Sequence, residues 1–164
     1  MHLTAEVRYP ADIARVGAML SDPDYVAAKV RATGALSQHV EVVHNAPDAF
    51  TVTTRRHMPT TGIPAQFRSL AGNSIEVRLV EAWEAQRGDE RLGTIVVEII
   101  GAPVRLTGTL RLTPDGDGAT TQYLDGDLRA SVPLFASAVE DATARALTEA
   151  AKAEERTASA WLAT

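Results

Sequence analysis

The chain has no cysteine among its 164 residues, which excludes disulfides, thiolate metal sites and thiol nucleophiles together. Aromatic residues make up only 5%, so the core has to be filled by Val, Ile, Leu and Ala contributed from many elements. Lysine is almost absent: Lys29 and Lys152 stand against fourteen arginines, which together with the abundance of Ala reads as GC-rich coding rather than function. No basic run exceeds Arg55-Arg56, and a formal net charge of −5 argues against a general affinity for nucleic acid, whose phosphates reward clustered cations. The longest apolar stretch, Ile95 to Ile100, is interrupted by Glu98, and a membrane span needs about 20 apolar residues. The first ten residues carry neither the basic nor the apolar segment of a signal peptide, so the expected location is cytoplasmic.

What is present is enough for a sizeable core: 45% of the residues are hydrophobic, and the length predicts one domain over residues 1–164. Leu3, Ala5, Val7 and Tyr9 alternate with polar residues, the signature of a half-buried strand. Pro10 and Asp22-Pro23 open two short helices, the second ending at Gly34. Period two returns from Leu36 to His44 and from Phe50 to Arg56 around the turn at Asn45 to Asp48. Met58 to Gly72 breaks the pattern yet keeps Ile63, Phe67 and Leu70, which predicts a structured excursion packed over the core, either a lid or a fixed plug stiffened by Pro59 and Pro64. Strands resume from Ile75 to Trp83 and from Leu92 to Ile100. They continue from Val104 to Leu112 and from Thr120 to Ala130, for seven in all. After Pro133 nothing breaks a helix of about 28 residues, roughly 42 Å long, whose apolar face is read as Phe135, Val139, Ala142, Ala146, Ala150, Ala153, Thr157 and Trp161. Small residues at its middle imply either close seating on the sheet or a void beneath it.

Few residues suggest chemistry. His2, His39, His44 and His57 lack the spacing, with a carboxylate, that converges on one ion, and are read as surface residues. Asp115 to Gly118 evokes a calcium loop, but Gly126 stands where the twelfth-position Glu is required, so it is a hairpin turn. Asp125 and Asp127 fall on the solvated face of a strand. No Gly-x-Ser-x-Gly elbow and no phosphate-binding glycine loop occurs. No cofactor or metal is expected. More informative are Gln38, Thr54, Arg56, Glu81 and Glu98, which are read as sharing a strand face with Val, Leu or Trp. A buried charge has to be paired or solvated: these residues are read as lying near strand ends and reaching water, with Arg56 and Glu81 as the alternative, a pair at a cavity mouth that orients a ligand carboxylate or hydroxyl.

The order strand, two helices, six strands, long helix is the helix-grip arrangement, and it resembles the START-like superfamily that includes pollen-allergen and polyketide-cyclase relatives. The segments MPTTGIPAQFRSLAG, GAPVRLTGTLRLTPDGDGATTQYLDGDL and VPLFASAVEDA are similar to a bacterial family of unknown function within it. The resemblance implies an α+β fold with a curved antiparallel sheet around the long helix, and a cavity suited to lipids, sterols or polyketides. It supplies no catalytic residues. The residues expected to line that cavity are Phe50, Val52, Arg56, Phe67, Leu79, Glu81, Trp83, Leu106, Phe135 and Val139. The leading expectation is a non-enzymatic binder of a small hydrophobic molecule. The alternatives are a cyclase- or dehydratase-type enzyme using Arg56 and Glu81 as acid and base, and a protein-interaction module without ligand.

Overall fold

The computed structural model describes residues 1–164, apart from the side chains at positions 62, 66 and 70. Its elements run β1 (His2–Tyr9), α1 (Ile13–Leu20), α2 (Pro23–Ala32), β2 (Ser37–Ala46) and β3 (Ala49–Pro59), then a 3₁₀ turn (Thr60–Gly62) and α3 (Ala65–Ala71). They continue as β4 (Ser74–Trp83), β5 (Arg91–Ile100), β6 (Val104–Pro114), β7 (Thr120–Ala130) and α4 (Ala136–Leu162). The seven strands form one antiparallel sheet in the order β1-β7-β6-β5-β4-β3-β2, so consecutive strands from β2 to β7 are neighbours, and β1 pairs with β7. With the long helix against its inner face this is the α+β helix-grip fold.

Local chemistry sets the helix ends. Asp12 accepts from Arg15 N and Asp22 from Asp24 N, satisfying backbone donors that a first turn leaves free. The excursion holds a helix the sequence pattern did not predict, because Pro64 and Gly72 leave α3 only seven residues. The last helix begins at Ala136 rather than directly after Pro133, since Leu134 takes φ 66 and redirects the chain.

Strand register stacks the inward residues in rows across the sheet. One row reads Gly126, Gly108, Ile95, Glu81, Val52; the next reads Leu124, Leu110, Gly93, Trp83, Phe50. Beyond them lie Leu128, Leu106, Val97, Leu79, Thr54, and then Ala130, Val104, Ile99, Val77, Arg56, Gln38. Gly108 and Gly126 face each other where the backbones approach too closely for side chains: a Cβ on Gly108 would meet Asp125 O at 2.6 Å. Glycines in a strand interior mark such bends.

The helix α4 buries Ala153, Ala158 and Leu162, while Val139, Ala144, Leu147, Ala151 and Trp161 pack partly against the core. This corrects the middle of the expected face: Val139, Ala153 and Trp161 turn inward as expected, but Ala146 is exposed and Leu147, Ala151 and Ala158 stand where Ala146, Ala150 and Thr157 were expected. The second half of α4 is therefore seated, whereas its first half stays partly open. No helix among the described residues is long and apolar enough to cross a membrane.

Candidate functional site

Where α2, α4 and the sheet meet, the interior holds ionised groups rather than hydrocarbon. Lys29, on α2, extends its ammonium to Glu154 Oε1 on α4 at 3.2 Å and to Glu81 Oε1 on β4 at 3.5 Å. The other Glu81 oxygen accepts from Trp83 Nε1 at 3.4 Å. The Tyr9 hydroxyl lies 2.8 Å from Glu154 Oε1 and 3.2 Å from Gln122 Oε1, and its one proton is donated to the nearer carboxylate oxygen. The Tyr25 hydroxyl, fully buried with its ring edge-on to Trp161, has no partner among the described residues. Lys29 and Glu81 are 7% and 4% exposed, so their mutual attraction acts in low dielectric and matters far more than it would at the surface.

These surroundings move the proton affinities in definite directions. Burial by itself would lower the Lys29 ammonium, but the Glu154 and Glu81 carboxylates outweigh it and hold its pKa above the ordinary value. Burial, reinforced by Glu154, drives the Tyr9 phenol well above its ordinary value. Tyr25 moves the same way, by burial and then by Glu154 and Glu81. Burial lowers the Arg56 guanidinium, and attraction to Glu81 and Glu154 opposes that shift.

Glu81 thus finds its cation in Lys29, not in Arg56 as the sequence suggested. Arg56 stands opposite Val77, four residues along β4 from Glu81, a separation of about 13 Å along a strand. Its Nη2 donates instead to Thr54 Oγ1 at 3.0 Å, and its Nε has no partner among the described residues. Glu98 lies on the outer face, bonded to Arg105 at 2.7 Å and near Arg78 at 3.5 Å, so it does not share the inner face. All four histidines are exposed, and no group able to hold a metal ion occurs among the described residues.

Of the residues expected to line a cavity, Phe50, Val52, Arg56, Glu81, Trp83 and Leu106 are buried on the inner sheet face, with Leu79 partly buried among them. Phe67 and Phe135 stand apart from that face as an edge-to-face pair 5.3 Å between ring centres, tying α3 to the approach of α4. The side chain of Leu70, expected beside them, lies outside the described residues. Val139 packs on the core from the half-open part of α4. Sequence reading missed Lys29, Glu154, Tyr9, Tyr25 and Gln122 as a group. The one available signal was phase: Lys29 follows Tyr25 and Val26 by four and three residues, and Glu154 lies between Ala151 and Ala158 at the same spacings.

Among the described residues, hollows open on the surface at two places that bear on the site. One of about 630 Å³ lies between Thr4–Glu6 of β1 and the outer side of α4 from Thr148 to Ser159. The other, about 350 Å³, sits at the β5–β6 hairpin and includes Ile99 and Val104. Those two residues belong to the inner-face row that leads to Arg56, and Val77 and Ile99 in that row are only partly buried.

A family model described as Protein of unknown function (DUF2505) matches residues 4–162. The chain belongs to the DUF2505 family. No curated protein matches it. Among solved structures, the DUF2505 chain is similar to TTHA0849 from Thermus thermophilus, with 16% identity, TM-score 0.65 and 96% and 97% of the two chains covered. It is also similar to the Zhui aromatase/cyclase from Streptomyces sp. R1128, with 14% identity, TM-score 0.61 and coverage of 96% and 90%. A START superfamily protein from Mycobacterium smegmatis shares 15% identity at TM-score 0.52, over 94% of each chain. At these identities the likeness establishes the START-like fold of the DUF2505 chain.

Proposed function

We propose that this DUF2505 protein is a cytoplasmic single-domain binder or carrier, over residues 1–164, of a small hydrophobic molecule such as a lipid, sterol or polyketide. The ligand would enter beneath the first half of α4, above Leu79 and Leu106, with Phe67, Phe135 and Val139 at the entrance and Phe50, Val52, Glu81 and Trp83 deeper in. The carrying observation is the unequal seating of α4. Its second half is anchored by Ala158 and Leu162, whereas Val139 and Leu147 on the helix, and Val77, Leu79 and Ile99 on the sheet, remain partly exposed. Partly open apolar surface of this kind, with a few placed polar groups, is what a ligand pocket requires. A START superfamily protein and an aromatase/cyclase share the fold, which supports the reading without naming a ligand.

The test is native mass spectrometry of the purified protein beside its denatured mass, with extraction of any excess, and thermal shift across a lipid and polyketide panel. A retained apolar molecule that is lost in Leu79→Trp supports the reading, because a ligand that binds only the folded state must stabilise it. No adduct and no shift across the panel would overturn it in favour of an interaction module. A second reading, a cyclase- or dehydratase-type enzyme, is favoured by one observation: Glu81 and Glu154 share a buried site with an ammonium and a phenol. Turnover of a polyketide substrate, abolished by Glu81→Gln, would establish it.

A further inference from the structure

Two buried polar atoms beside the proposed cleft find no partner among the described residues. Arg56 is 8% exposed, and its side chain makes one hydrogen bond there, from Nη2 to Thr54; Nε has none. Gln38 Oε1 is the second. Gln38 stands directly opposite Arg56 in the β2–β3 register, so the two side chains rise from the sheet about 5 Å apart. A guanidinium stays protonated, and a buried donor left unmet is costly. The same holds for a bare carbonyl oxygen.

Gln38 Oε1 and Arg56 Nε are complementary but not bonded to each other, so one bridging group that both donates and accepts, a water or a ligand hydroxyl, would satisfy the two together. Gln38 Oε1 needs a donor and Arg56 Nε an acceptor. A ketone, ester or ether oxygen accepts from Arg56 and leaves Gln38 bare. A carboxylate does likewise and adds charge: Lys29, Arg56, Glu81 and Glu154 already cancel as two cations and two anions, so an anionic ligand brings an uncompensated charge beside them. A hydroxyl has one donor and two acceptor positions. Beyond Arg56 the row continues through Val77, Ile99 and Val104, an apolar floor that spans about 14 Å at the usual strand spacing and ends at the open hollow by the β5–β6 hairpin.

We propose that the cleft takes an apolar alcohol or phenol, whose hydroxyl oxygen accepts from Arg56 Nε and whose hydroxyl proton goes to Gln38 Oε1, with the hydrocarbon body along Val77, Ile99 and Val104. This rests on the binding reading above and narrows its ligand class. The hydroxyl fixes orientation, and the floor supplies most of the contact area.

Isothermal titration of the full chain at neutral pH with 2-naphthol, 2-methoxynaphthalene and 2-naphthoate tests it. The expected result is 2-naphthol binding at least tenfold more tightly than the other two. In Gln38→Leu that preference should fall to within twofold while affinity for the methoxy compound stays unchanged, and Arg56→Met should weaken naphthol and its methyl ether alike. Arg56→Met leaves Glu81 and Glu154 with Lys29 alone, so its urea midpoint should fall; if it fails to fold, Gln38→Leu alone decides. Equal binding of naphthol and its methyl ether, or a preference that survives Gln38→Leu, overturns the hydroxyl assignment and leaves the cleft intact. Failure of all three probes to bind the unmodified chain overturns the cleft itself, and the assignment with it.

Discussion

The Lys29 ammonium lies 3.2 Å from the Glu154 carboxylate and fastens α2 to α4 inside the molecule. That contact, shared with Glu81, lets two acidic side chains occupy the interior. Lys29→Met strands both, and breaking a buried ion pair from one side costs about 3–5 kcal/mol. Urea denaturation followed by tryptophan fluorescence should show a loss of that size. Combining Lys29→Met with Glu81→Leu and Glu154→Leu should recover most of it, because the charges then leave together. An unchanged midpoint in the single variant would refute the assignment of Lys29 as their partner.

Stability should fall in alkali. Lys29 is held above its ordinary 10.5, and Tyr9 and Tyr25 above their ordinary 10.0. A group whose pKa is raised on folding contributes stability that is whole below its unfolded pKa and is lost as pH rises past it. All three act with the same sign, so the melting temperature should be level up to about pH 10 and drop above it. Tyr9→Phe with Tyr25→Phe should make the drop shallower. Thermal melts taken from about pH 8 to about pH 11 check this.

Arg91 joins two hairpin ends. It is 2% exposed, donates to Asp48 O at 2.6 Å and Glu84 O at 2.8 Å, and meets Asp48 Oδ1 at 2.6 Å. Asp48 has φ 64, and Arg91 and the Gln86 N–H hold its carboxyl below its ordinary pKa. Asp48→Ala loses the ionic contact and strains the left-handed backbone; Asp48→Gly loses only the contact. The Ala variant should be less stable than the Gly variant by about 1 kcal/mol, measurable as a difference in urea midpoint. Equal midpoints would show that the turn tolerates the strain.

Gly108→Ala should destabilise the sheet at its bend. Its new Cβ would lie 2.6 Å from Asp125 O and 2.9 Å from the Gly126 Cα, both backbone neighbours that cannot swing aside. Overpacking of this kind costs about 1–3 kcal/mol. Hydrogen exchange should localise the loss to β6 and β7, and a variant with unaltered exchange there would contradict the bend.

The fold is legible because its strands are half-buried: alternation survives wherever one face meets water, as in His2–Tyr9 and Ala49–Pro59. Legibility fails where both faces carry hydrocarbon. In Ile95 to Ile100 nearly every residue is apolar, so the phase of Glu98 cannot be read, and hairpin register alone turns it outward. In α4 several rows of alanine compete, and the one containing Glu154 is marked by phase alone, against which a carboxylate suggests solvent. Lys29 is hidden for the same reason. A buried lysine becomes sensible only when carboxylates from β4 and α4 arrive beside it, which is a three-body fact that no local window contains. The seven-residue α3 is too short, between Pro64 and Gly72, to show a helical period.

The strand order also sets a timetable for the nascent chain. β1 is made before the other strands, yet among the described residues it pairs only with β7, which begins at Thr120. The strands from β2 to β6 can zip as successive hairpins while His2–Tyr9 waits as an unclaimed edge, a kind of surface that invites pairing between chains. When Thr120–Ala130 is made it captures that waiting strand, and α4 follows at once to cover the join. A ribosome stalled before Thr120 therefore holds a sheet with its first strand still loose, and the grip closes only with roughly the last quarter of synthesis.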